Sequence, residues 1–149
     1  MFTVGQEPTE QKNCYKNAMK KVAAHSLEPE FAFVRGTEIT RIEYLPLDGL
    51  KIHVADVYGE SGCIVTFDFT MGFRVLDERD LMEYWPICST PMGWLFNIQE
   101  GGWLDQDRPR PGSCMLDMFP DAKEYLIAGI NECVSVFSTE NPKLQSYQP

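Results

Sequence analysis

A chain of 149 residues, 44% hydrophobic and 12% aromatic, has the size and make-up of one globular domain that buries a core without disulfides or a structural metal, which excludes wholesale disorder. Its formal net charge of −9 argues against nucleic acid and anionic membrane as direct partners, because both would be repelled. The charge is placed unevenly. Residues 1–52 carry seven Lys/Arg and seven Asp/Glu, whereas residues 53–149 carry six Lys/Arg and fifteen Asp/Glu. A field of one sign selects partners of the other sign and hastens encounter with them; solubility is the plainer use of the same charge.

The start of the chain has no basic stretch followed by an apolar run, and no 18 consecutive residues are apolar. A cytoplasmic protein without a membrane span is therefore expected. Cys14, Cys63, Cys88, Cys114 and Cys133 are at least 19 positions apart. That spacing forms neither a disulfide framework nor a CxxC metal knuckle, so buried thiols are expected, with no metal and no cofactor.

In chain order, the first expected element is a helix over Thr9–Ser26, entered from Pro8, whose missing N–H costs nothing at a helix start. Cys14, Tyr15, Ala18, Met19, Val22 and Ala23 form its apolar stripe. Lys12, Lys16 and Lys20 give a basic outer edge, and His25 closes the helix near its last carbonyls. After Pro29, Phe31–Val34 and Ile39–Leu45 are extended candidates. Leu50, Ile52 and Val54 alternate with Lys51, His53 and Ala55, as a half-buried strand requires. Gly59-Glu60-Ser61-Gly62 is a turn. Beyond it Cys63, Val65, Phe67, Phe69, Met71, Phe73 and Val75 are apolar at period two. This row is one long strand, or two with a bend at Gly72, and pairs with Leu50–Tyr58 as an antiparallel hairpin.

Asp77 then caps a short helix with Leu81, Tyr84 and Trp85 inside, and Pro86 ends it. Trp94, Phe96 and Ile98 mark another strand, terminated by Gly101-Gly102; Asp105–Gly112 is a loop. Tyr125–Phe137 fits a strand pair turning at Asn131-Glu132. It also fits a helix capped by Asp121 and Glu124; the β-branched residues and Gly129 favour strands. The tail from Glu140 to Pro149 is expected to be extended and frayed. The expected fold class is α+β: a single domain, residues 1–149, with an antiparallel sheet of about five or six strands over residues 31–138 and the N-terminal helix packed on one face.

Most catalytic signatures are missing. GxGxxG, GxxxxGK[ST], GxSxG and HExxH do not occur. His25 and His53 are the only histidines, and nothing in the sequence sets Ser61 or Cys63 beside His53 as a triad would need. Asp105 and Asp107 do not open a calcium loop, because Arg108, Pro109 and Arg110 stand where further ligands are required. No catalytic residue is assigned. The segment that stands out holds Trp85, Trp94 and Trp103, with Trp85 and Trp94 read as core. Aromatic residues and Arg dominate interface hot spots, and rim acids steer a basic partner. The candidate partner-binding residues are therefore Trp103, Glu100, Asp105, Asp107, Arg108 and Arg110.

The run Phe73-Arg74-Val75-Leu76-Asp77-Glu78, with Leu81, Tyr84-Trp85, Gly93-Trp94, Ile98, Gly101-Gly102-Trp103 and Tyr125-Leu126-Ile127, resembles small bacterial proteins of unassigned function, some of them similar to immunity proteins of polymorphic toxin systems. The resemblance covers roughly residues 65–138 and contains no catalytic motif, so it transfers no functional residue. It implies an acidic cytoplasmic binding protein that occludes a toxin's active site. The leading expectation is a non-enzymatic protein-binding module with a basic protein as partner. One rival is a small enzyme or ligand-binding domain using acids and His53 in a sheet-lined pocket. Another is an oligomeric accessory protein that pairs through an exposed edge strand.

Overall fold

The described residues form nine strands in two antiparallel sheets. The computed structural model describes residues 20–27, 36–89 and 91–149. The strands are β1 (Ala23–Ser26), β2 (Thr37–Leu45), β3 (Gly49–Asp56), β4 (Gly62–Phe67), β5 (Gly72–Asp77), β6 (Leu95–Glu100), β7 (Lys123–Ala128), β8 (Glu132–Ser138) and β9 (Lys143–Tyr147). One sheet runs β1-β6-β7-β8-β5 and the other β2-β3-β4-β9. The helices are short: α1 (Trp85–Cys88), α2 (Trp103–Asp107) and α3 (Cys114–Met118), with a 3-10 turn over Glu78–Asp80.

The α+β expectation of one sheet under an N-terminal helix is therefore corrected to a mostly β architecture. Positions 9–19 of that expected helix lie outside the described residues, as does the expected strand Phe31–Val34. The end of the expected helix is strand β1. Ala24 faces Ile98 and Ser26 faces Phe96 across the ladder with β6. Val22 and Ala24 pack into the apolar cluster around Phe96 and Ile98. Ladder pairing and burial outweigh the small helical preference of alanine.

The expected antiparallel hairpin of β3 and β4 forms, with Ile52 opposite Val65 and Leu50 opposite Phe67. These side chains meet Trp94, Leu95, Tyr125, Ile127, Val134 and Val136 from the other sheet. The rings of Phe67 and Tyr125 are tilted at 5.3 Å. The long period-two row does not stay on one sheet. It leaves β4 after Phe67 and re-enters as β5 at Gly72 on the opposite sheet, paired with β8. The row therefore surfaces, and Val75 is 40% exposed.

The second core packs on the other side of the five-stranded sheet, where Leu81, Tyr84 and Cys88 cover Phe96, Ile98, Leu126 and Cys133. Strands covered on both faces lose their alternation, which is why Leu95 is buried as fully as Phe96. Tyr125–Phe137 is a strand pair, β7 and β8. Pro86 does not end a helix; it lies in the first turn of α1, where it leaves no bond unmade. The Asp105–Gly112 segment begins inside α2 rather than as loop. The tail is not frayed: β9 pairs along β4 with Leu144 opposite Val65, and Lys143 forms an ion pair with Asp68.

Candidate protein-binding surface

The loop that carries most of the predicted site residues is tied to the sheet by a buried carboxylate. Glu124 of β7 is 0% exposed. Its Oε1 accepts from the Tyr84 hydroxyl at 2.8 Å and its Oε2 from the Leu104 N–H at 2.8 Å. The Trp103 N–H donates to the Tyr84 oxygen at 2.8 Å. The first two amides of α2 are thus satisfied by side chains from outside the helix, Tyr84 and Glu124 of β7. Gly102 is required there, because a Cβ would lie 2.5 Å from Glu124 Oε2 and 2.7 Å from Ile98 Cγ2. Burial raises the Glu124 pKa, an effect its donors only partly offset. Burial likewise raises that of Tyr84.

On this support the predicted residues take different roles. The Trp103 indole stacks on Phe137 with centroids 3.8 Å apart, and the Arg74 guanidinium carbon sits 4.6 Å from the Trp103 ring centroid. Asp107 Oδ1 accepts from Arg110 Nε at 2.8 Å, and its Oδ2 accepts from the Ser113 hydroxyl at 3.3 Å. The Arg110 hydrogen bond lowers the Asp107 pKa. Trp103, Asp107 and Arg110 come together on one open groove of about 320 Å³, lined also by Met71, Phe73, Met115 and Phe137. Asp105 accepts from the Gly101 N–H at 2.7 Å. Arg108 donates to the Leu116 and Pro120 carbonyls at 3.2 and 3.4 Å. Both shape the loop. Glu100 ends β6, exposed and opposite Ala23. Of the other tryptophans, Trp94 is buried and Trp85 half-buried, its Nε1–H donating to the Glu78 carbonyl at 2.9 Å.

The acids are concentrated elsewhere than the prediction placed them. Asp68, Asp77 and Asp107 are paired with Lys143, Arg79 and Arg110, and Glu124 is buried. Asp77 caps the 3-10 turn, its Oδ1 accepting from the Arg79 N–H at 2.9 Å, and hydrogen bonds from Arg79 hold its carboxyl well below the usual range. Glu78, Asp80 and Glu83 follow directly, and Glu132 faces Asp77 across the β5–β8 ladder. Among the described residues no ion pair engages these last four. Met82, 67% exposed, and Ile87 stand among or beside them. Sequence reasoning read this stretch as a helix cap and did not single out its acids; the signal was four acids in the seven positions from Asp77 to Glu83.

His53 does not enter the groove. It lies on the outer face of the four-stranded sheet, with Nε2 2.8 Å from Glu43 Oε2 and the Tyr147 ring edge-on at 5.7 Å. Cys63 points to the opposite face, into the core, where burial pushes its thiol up to about 11. The same cause pushes Cys88 up to about 12 and Cys133 up to about 11. A thiol so protonated and so placed cannot form a nucleophile–base pair with His53. Cys114 departs from the expectation of buried thiols, being exposed at the groove. Among the described residues no group of three or more His, Cys, Asp or Glu is placed to hold a metal ion, and no helix is long and apolar enough to cross a membrane. In comparisons with known proteins, no family model, no curated protein and no solved structure matches the chain.

Proposed function

We propose that the chain is a non-enzymatic protein-binding module whose partner is a cationic protein, in the manner of an immunity-type inhibitor that covers a basic toxin enzyme. The observation that carries this reading is the group of Glu78, Asp80, Glu83 and Glu132 at one end of β5, unengaged by ion pairs among the described residues and interleaved with exposed Met82. Carboxylates on a rim accelerate encounter with a basic surface, and exposed Met and aromatic side chains supply the contact that holds it. The groove at Trp103, at the other end of β5, adds an aromatic seat.

The test is binding to the product of an adjacent toxin-like gene, at low and at high salt, by wild type and by the double variant Asp80→Lys/Glu83→Lys. The expected result is a fall of about tenfold in association rate on charge reversal, with wild-type binding weakened by salt. Binding indifferent to both salt and charge reversal, or no binding, contradicts the proposal.

A further inference from the structure

We infer that the partner's contact segment is an extended strand added to the open edge of β5, with Lys or Arg side chains beside the carboxylates of Glu78 and Glu132 at its Asp77 end and an apolar side chain beside Gly72, seated in the Trp103 groove. This rests on the reading above that a cationic partner docks at the acidic end.

β5 is the outermost strand of its sheet, and among the described residues no strand pairs its other side. The Glu78 N–H donates to the Asn131 carbonyl at 3.0 Å, in register with the β5–β8 ladder. Alternation along an antiparallel pair then turns the backbone groups of Phe73, Val75 and Asp77 away from β8. Val75 at the centre of this edge is 40% exposed. Folded proteins normally blunt such edges with bulges, charged side chains or short length. β2 has a register shift between Ile39 and Arg41, and carries Glu38, Arg41 and Glu43. β1 is four residues long. β5 has neither a register shift nor a lysine, and its Arg74 lies over the Trp103 ring.

The two ends of β5 differ in chemistry. At Gly72 the missing side chain leaves the groove floor open, and an added Cβ would lie 3.9 Å from Phe137 Cδ2, an ordinary contact. At the other end stand Asp77 and the carboxylates that follow it. Six residues at about 3.3 Å each span about 20 Å, so one extended segment reaches both ends. In strand addition, main-chain hydrogen bonds supply affinity, and pockets for particular side chains supply specificity. Here the specificity is for an apolar residue about five positions from a basic one.

The experiment selects peptides from a displayed random library on the full chain and maps the binding of a selected peptide by amide hydrogen exchange. The expected peptides carry Lys or Arg about five residues from Leu, Ile, Met or Phe. Binding slows exchange at Phe73, Val75 and Asp77. Val75→Pro, which removes an amide that β8 does not use, and Gly72→Leu, which fills the groove, each weaken binding by about tenfold or more. The hydrogen-exchange map needs no variant, so a Val75→Pro chain that fails to fold does not shield the proposal. Binding lost on Asp80→Lys/Glu83→Lys but kept in Val75→Pro and Gly72→Leu leaves the acidic dock standing and overturns strand addition. Binding indifferent to all of these variants overturns both. Amides at Phe73, Val75 and Asp77 already protected in the free chain, failure to select any peptide, or a doubled mass by light scattering that Val75→Pro abolishes each overturns the proposal, the last in favour of a second copy.

Discussion

Glu124 shows how a single side chain sets the geometry of a loop. Tyr84 and Glu124 together receive the amides of Trp103 and Leu104, so Tyr84→Phe strands a buried amide and a carboxylate oxygen. Leaving buried polar groups unpartnered costs about 1–3 kcal/mol. A fall in denaturation free energy within that range is expected, and an unchanged value would show that the network does not hold the loop. The pH response has a defined sign. The folded-state pKa of Glu124 is raised above the ordinary glutamate value of 4.5, so its contribution is present at and below that pH and lost as pH rises through the folded value. Glu124→Gln cannot ionise. The stability of wild type relative to Glu124→Gln, measured by urea denaturation, should therefore fall as pH rises above 4.5. Two curves that stay parallel from pH 4 to 8 would contradict the account. Asp107 behaves oppositely: its Arg110 partner lowers its pKa, and what it contributes is lost as pH falls through the folded value.

At the scale of elements, the strongest expectation concerns Phe67, which lies 1% exposed in the core against Tyr125. Phe67→Asp puts a carboxylate where no partner waits, and the domain should lose its cooperative thermal transition. A soluble variant melting at the wild-type temperature would refute the placement of β4. The strands β3 and β4 were legible because one face is buried and one wet, which leaves a period of two in the sequence. Tyr125–Phe137 was ambiguous because β7 and β8 are covered on both sides, and a continuous apolar run carries no period. The row from Cys63 to Val75 keeps its alternation while its backbone crosses between sheets, so spacing alone could not reveal where it divides. The stretch Ala23–Ser26 followed a helical stripe whose last residues are set by contact with β6. That pairing partner lies seventy or more residues away in sequence. β9 is held by Leu144 against the core and by Lys143 on Asp68, neither of which a local pattern announces.

At the scale of the whole molecule, the excess of acids beyond Ile52 was readable from the sequence, but its distribution was not. Pairing with Arg79, Arg110 and Lys143 and the burial of Glu124 remove four carboxylates from the exterior that a partner would meet. Glu78, Asp80, Glu83 and Glu132 gather at one end of β5 because the ladder sets Glu132 opposite Asp77. Of the predicted residues, Trp103, Asp107 and Arg110 share a groove. Asp105 and Arg108 instead bind backbone groups of their own loop, a use that composition does not distinguish from interface chemistry. The most direct measurement is the hydrogen-exchange footprint of a bound cationic partner on the full chain. The account predicts slowed exchange over residues 72–83 and 103–115. A footprint confined to the outer face of the four-stranded sheet, around His53 and Tyr147, would contradict it.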